Sequence, residues 1–179
     1  MQRLAEERFQ EIYRRHVDAV TSYVRRRSAA DSVEDVVAET FLVCWRQLDR
    51  VPDEPLGWLY AVARKTLANE RRAATRRRSG PAGGAGEPGG GGDALPEIAS
   101  DPVLGRAFAL LSEDDREVLR LVAWEQLPLR DAASTLGCSY VACRVRFHRA
   151  RRRLATHLRR LADTPTAATP PPHPEGAIQ

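Results

Sequence analysis

The chain has 179 residues, 42% of them hydrophobic, enough for one ordinary domain or two small ones with packed cores. Its net charge of +4 excludes a general polycation, so any strongly positive surface must be local. The opening MQRLAEERFQ has no signal-peptide apolar core, and no apolar run nears the ~20 residues that span a bilayer, so a cytoplasmic protein without membrane insertion is expected.

Lys65 is the single lysine, so the positive charge is almost all arginine, whose planar donors suit phosphates and guanine edges. Cys44, Cys138 and Cys143 form no CxxC pair and read as free thiols packed at apolar helical positions or in a turn. No four-ligand set has zinc spacing, and no phosphate loop or catalytic triad is visible. The expectation is therefore a non-enzyme with no cofactor, no metal and no catalytic residues.

Residues 1–78 are predicted to be helical. Phe9, Ile12, Tyr13, Val17, Val20, Tyr23 and Val24 keep a 3.6-residue period and give the first helix one buried face. Arg25 to Arg27 close it, where basic residues suit the negative end of the helix dipole. Asp31 opens the second helix, with Glu34 three residues on as in a capping box. Val33, Val36, Val37, Thr40, Phe41, Cys44 and Leu48 form its buried side. On the other side Asp35, Glu39, Leu42 and Arg46 make a stripe, bordered by Trp45. Such a stripe is either a solvated face with a stray leucine or a docking strip for a basic helix, with acids for steering and an apolar anchor for burial.

Pro52 to Gly57 is a turn, and Pro55 fits the first position of a third helix running to about Arg78. Leu56, Leu59, Ala63 and Leu67 can face the core, while Arg64, Lys65, Asn69, Arg71 and Arg72 are polar. Trp58 and Tyr60 near its start are aromatics beside bases, which suits stacking on unpaired nucleotides, although Trp58 reads more readily as core than as a stacking platform. Residues 79–100 are Gly-rich and poor in bulky side chains, and are expected to form a flexible linker reaching roughly 75 Å when extended. Two modules tied this way are expected to move independently when free.

The second module is predicted from residue 101 to 162. Pro102 starts a helix with Val103, Leu104, Ala107, Phe108 and Leu111 as its apolar positions, and Ser112 caps the next. There Val118, Leu119 and Val122 face inward, and Arg116 and Arg120 face out. Residues 129–154, LRDAASTLGCSYVACRVRFHRARRRL, then read as two helices around a Gly137 turn, with Ser139 capping the second. Cys143, Phe147, Ala150 and Leu154 share one face of that helix. From Tyr140 to Arg160 there are eight arginines and no acid. An ordinary solvated face mixes signs, so this one points to a phosphate partner and a helix-turn-helix with a recognition helix. Residues 163–179 are Pro-rich and expected to be a disordered tail. The fold class is all-α: two small helical domains joined by a Gly-rich linker, the second a helix-turn-helix.

These segments resemble the extracytoplasmic-function (ECF) sigma factors of bacterial RNA polymerase, in the sigma-70 family. The N-terminal module resembles region 2 through FQEIYRRHVDAVTSYVRRR, VEDVVAETFLVCWRQLDRV and GWLYAVARKTLANERRAATRRR. The C-terminal module resembles region 4 through LSEDDREVLRLVAWEQLPLRDAASTLGCSYVACRVRFHRARRRL. The resemblance implies a protein that directs core polymerase to promoters, with the β′ clamp helices, the β subunit and promoter DNA as partners and room for an anti-sigma factor. It implies polymerase contact through Asp35, Glu39, Leu42 and Arg46. It implies −10 recognition and melting through Trp58, Arg64, Lys65, Asn69, Arg71 and Arg72, and −35 recognition through Arg144, Val145, Arg146, His148 and Arg149. Lys65 stands where the family usually has Asn, Asn69 where it often has Asp, Cys143 where it usually has Val, and Pro128 where a capping Ser is frequent. The alternative is a free-standing helix-turn-helix regulator, which needs a dimer interface or ligand pocket that has no clear signature here.

Overall fold

The computed structural model describes residues 2–28, 32–78 and 101–163. The expected linker at 79–100, the tail beyond Asp163 and the Asp31 cap lie outside these residues. Among the described residues there are seven α-helices and no strand: α1 (Gln2–Arg25), α2 (Val33–Arg46), α3 (Leu56–Arg78), α4 (Pro102–Ala109), α5 (Glu113–Ala123), α6 (Leu129–Leu136) and α7 (Tyr140–Ala162). None is long and apolar enough to cross a membrane.

The N-terminal module is α1, α2 and α3 packed together. Its core takes Ile12, Val20, Tyr23 and Val24 from α1, Val33, Val36, Phe41 and Cys44 from α2, and Leu59, Tyr60, Ala63 and Leu67 from α3. Burying each large side chain contributes roughly 1.5–3 kcal/mol against the entropy of ordering the chain. Tyr13 departs from the expected face and is exposed. Ser32 occupies the N-cap of α2, without a side-chain cap bond. Arg8 ties α1 to the turn after α2, donating to the carbonyls of Leu48 (3.1 Å) and Val51 (2.6 Å).

The C-terminal module is α4 to α7, and its start signals act as the side chains dictate. The Asp101 carboxylate accepts from the backbone N–H groups of Val103 and Leu104, and Ser112 Oγ accepts from that of Asp115. Arg116 and Arg120 do not face out as expected. Arg120 is buried, lies over the Phe108 ring at 5.4 Å, and pairs with Glu113 at 3.1 Å and Glu117 at 3.6 Å; Arg116 is half-buried and pairs with Glu113. Asp115 and Glu117 are buried too, so α5 carries a charged inner edge that a hydrophobic pattern cannot reveal.

The two modules are not independent in this structure: α6 packs along α3. Thr135 Oγ1 lies 2.9 Å from the Gly57 carbonyl, and a Cβ on Gly57 would sit 3.1 Å from that of Asp131. Beside this contact, Arg27 Nε donates to both Glu117 oxygens (3.2 and 3.1 Å), and Arg27 Nη1 donates to Glu125 (2.9 Å). Arg26 donates to Glu125 as well, and the Tyr23 hydroxyl to Glu117 at 3.1 Å. Tyr23 stacks on Tyr60 with ring centroids 4.4 Å apart, and the Arg27 guanidinium lies 3.8 Å from the Tyr23 ring centre. Gln126 takes a left-handed φ of 52° in the turn that presents Glu125 to these arginines.

Candidate nucleic-acid interface

The helix-turn-helix is set by two residues. Gly137 ends α6 at φ 66°, ψ 33°, a left-handed position that favours glycine, and its N–H closes on the Ala133 and Ser134 carbonyls. Ser139 then starts α7, its Oγ accepting from the Ala142 N–H. From there Cys143 and Ala150 are buried and Phe147 and Leu154 half-buried against the module. Burial, with Cys138 beside it, pushes the Cys143 thiol up to about 11, so it stays a neutral packing group.

The opposite face is open. Arg144, Val145, His148 and Arg149 are exposed, and Arg146 is half-exposed, 3.7 Å from Asp114. The structure thus brings the expected recognition set onto one accessible surface. The basic surface continues along α7 as a shelf of Arg149, Arg152, Arg153, Thr156 and His157. Arg153 is anchored by an ion pair to Asp115 of α5, which fixes the helix on its module.

The residues expected at the −10 element do not form one surface. Trp58, Lys65 and Asn69 lie on one side of α3, lining a groove of about 1260 Å³ with Asp35, Glu39 and Leu42 of α2 and Ser134 of α6. Arg64 and Arg71 line a separate cavity of about 160 Å³, opposite Glu113, Asp114 and Glu117 of the C-terminal module. Arg72 donates to Asn69 Oδ1 at 2.8 Å and Arg71 to the Arg27 carbonyl at 2.7 Å. Trp58 is half-buried against the core with one side toward the groove. Tyr60 is core, 2% exposed, and burial beside Glu125 holds its hydroxyl well above the ordinary tyrosine value.

On α2, Asp35, Glu39, Leu42 and Arg46 are all exposed, Leu42 at 40%, so the stripe is open to solvent. Arg46 lies outside the groove that the other three line. Trp45 is also 40% exposed and packs edge-on against Phe9 at 5.2 Å, extending the apolar part of this face toward α1. Among the described residues no group of His, Cys, Asp and Glu is arranged to hold a metal ion. Sequence reasoning missed Glu117, Glu125 and the depth of Arg27. The available signal was the run EDDRE at 113–117, acids gathered on the helix beside the arginine-only α7.

Comparison with known proteins matches residues 12–77 to the model of Sigma-70 region 2 and residues 103–154 to that of Sigma-70, region 4. The ECF RNA polymerase sigma factor SigL of Mycobacterium tuberculosis is 30% identical over 161 residues, 86% of this chain and 90% of SigL. Among solved structures, CnrH in complex with the cytosolic domain of CnrY is similar with a TM-score of 0.59 and 27% identity, covering 90% of this chain and 97% of that one. The fold is also that of the sigma factor RpoE of Bartonella quintana, solved with the anti-sigma factor NepR, at TM-score 0.58, 23% identity and coverage of 84% and 96%. Two family regions in order, on the two modules that the structure builds, show that this chain belongs to the sigma-70 family of RNA polymerase sigma factors, in its ECF group.

Proposed function

We propose a division of labour among named residues within this sigma factor, which directs core polymerase to promoters and initiates transcription. The α2 stripe of Asp35, Glu39 and Leu42, with Arg46 at its end, docks on the β′ clamp helices. Acids around a half-exposed leucine supply steering and a buried anchor for a basic helical partner. Arg144, Val145, Arg146, His148 and Arg149 enter the major groove at the −35 element: arginines on phosphates set affinity and register, and side chains at base edges set specificity. Trp58, Lys65 and Asn69 meet the −10 element from the groove side of α3, and Arg64, Arg71 and Arg72 take its phosphates. Catching unstacked bases offsets part of the stacking lost on melting.

The observation that carries this reading is the pair of oppositely charged, outward-facing surfaces, one on each family region. Residues 1–78 and 101–162 act as the two units, with 79–100 as connector. The proposal includes cytoplasmic action, no catalytic residues and an anti-sigma partner, since RpoE is held by one. A free-standing regulator would leave the region 2 half without a role. Run-off transcription with purified core polymerase on genomic DNA tests the assignment. Defined start sites that vanish with Glu39→Arg are expected, and core-independent, tight promoter binding by the chain alone would refute it.

A further inference from the structure

The outermost line of α7 is not its most basic. Cys143, Phe147, Ala150 and Leu154 turn one face of the helix inward. At about 100° per residue, the positions opposite that face in the first two turns are 141 and 145. Both are valine. Val141 is 60% exposed and Val145 40%. Arginines flank them: Arg144 is exposed on one side, and on the other Arg149 is exposed and Arg146 half-exposed. Past Val145 the same line is taken up by exposed Arg152, so its apolar part is confined to the start of the helix.

Folding gives no reason for this ridge. Neither valine belongs to the core or packs against it, and valine is a poorer helix former than alanine or arginine. A single exposed apolar side chain is ordinary, but these are two, one turn apart, at the crest of an arginine helix. Phosphate binding gives no reason either, since anionic oxygens need donors. An apolar crest between basic flanks fits a channel with anionic rims and an apolar feature on its floor. The major groove is such a channel: phosphates line its rims, and the thymine 5-methyl is the apolar group on its floor.

We propose that Val141 and Val145 are specificity-determining residues that select thymine in the −35 element by packing on its 5-methyl group. The inference rests on the reading of α7 as the −35 recognition helix, and it adds Val141 to that surface. Residues near the start of a recognition helix are the ones that meet base edges. Four residues of helix rise about 6 Å, roughly two base steps at ~3.4 Å each. The two valines therefore take thymines about two base pairs apart, while the flanking arginines hold the register. A cytosine in the same place presents its N4 amino group, a donor that valine would bury without an acceptor.

Deoxyuridine is thymidine without the methyl, so it isolates the contact. Start sites mapped by run-off transcription define the promoters, and their −35 elements are remade with each thymine singly replaced by deoxyuridine. Binding of each fragment by holoenzyme, core polymerase with the full-length chain, is measured by competition for wild type, Val141→Ser and Val145→Ser. The wild type is expected to lose about threefold to fivefold at two of the replaced thymines, the scale of one buried methyl group. Each loss should vanish in one valine variant and persist in the other, and both variants should melt with the wild type. A −35 element without thymine on either strand overturns the proposal. So does a set of replacements that costs nothing, or that costs the same in wild type and both variants. Arg149→Ala, measured alongside, separates the two layers of the argument. If it weakens binding while no deoxyuridine does, the valines lose their role and α7 keeps its own. If neither matters, the placement of α7 at the −35 element falls as well.

Discussion

Arg27 and Glu117 lie ninety residues apart in sequence and meet in a buried site, one guanidinium nitrogen bonded to both carboxylate oxygens. Burial opposes the charge on Arg27, but Glu117, Tyr23 and Glu125 outweigh it and hold the guanidinium more firmly protonated than usual. Removing one partner of such a pair costs about 3–5 kcal/mol when the other stays buried. Here Arg120 still pairs with Glu117 at 3.6 Å, so Arg27→Ala is expected to cost less than that. A double-mutant cycle with Glu117→Gln, read by urea denaturation, should return a coupling of at least ~1 kcal/mol. A coupling near zero would mean that the pair does nothing to hold the two modules together.

The same contact gives a pH dependence. Burial raises Tyr23 well above the ordinary tyrosine value, helped by Glu117, and burial with Glu125 raises Tyr60. A group whose folded pKa is raised binds its proton more tightly when folded. Its contribution is therefore full below the unfolded value near ~10 and lost as pH climbs toward the folded value. Urea midpoints should hold below that point and fall steadily above it. In Tyr23→Phe/Tyr60→Phe the fall should be shallower; an unchanged alkaline slope would assign it to other groups.

Local grammar was legible in the sequence, and long-range charge pairing was not. Ser112, Gly137 and Ser139 act within three or four residues of themselves, so their chemistry and position suffice to place a cap or a turn. The recognition face of α7 follows from periodicity, because its buried residues are plain apolar ones. Arg120 and Arg27 break that logic. Each is long enough to lie along apolar surface while its head finds an acid, and which acid depends on how helices pack. The same limit divided the −10 set: Lys65 and Arg64 are neighbours in sequence but open onto different cavities beside α3.

Gly137 isolates a backbone effect. A Cβ there would meet nothing within 4 Å, so substitution brings no clash with neighbours, yet φ is 66°. Gly137→Ala should therefore destabilise by about 1–2 kcal/mol through the left-handed backbone alone. Gly137→Asn should recover part of this, because asparagine tolerates that region. Thermal melts of the three chains check the order Gly, Asn, Ala. Equal losses for Ala and Asn would mean that packing decides the site.

If Glu39 docks on polymerase as proposed, its substitution separates docking from folding. Glu39 is exposed on α2 between Asp35 and Leu42, with no role in the core. Glu39→Arg should leave the melting temperature within a degree or two and weaken core-polymerase binding by at least ~2 kcal/mol, since close interfacial charge pairs couple at that scale or above. Co-purification with core polymerase, quantified by titration, reads the loss. Full retention would return the stripe to an ordinary solvated face.

Arg149 and Arg146 distinguish affinity from specificity on α7. Arg149 is exposed, whereas Arg146 is half-exposed and lies near Asp114. If Arg149 meets a phosphate, Arg149→Ala should weaken promoter binding by polymerase holoenzyme uniformly across −35 sequences and flatten the salt dependence by about one unit of slope. If Arg146 reads a base edge, Arg146→Ala should cost about 1–3 kcal/mol on the preferred −35 sequence and little on variants, relaxing selectivity at one position. Asp114→Asn frees Arg146 from a competing carboxylate and should tighten binding slightly without changing that preference. Binding to a −35 substitution series at several salt concentrations tells these apart. A flattened slope for Arg146→Ala with selectivity intact would exchange the two roles.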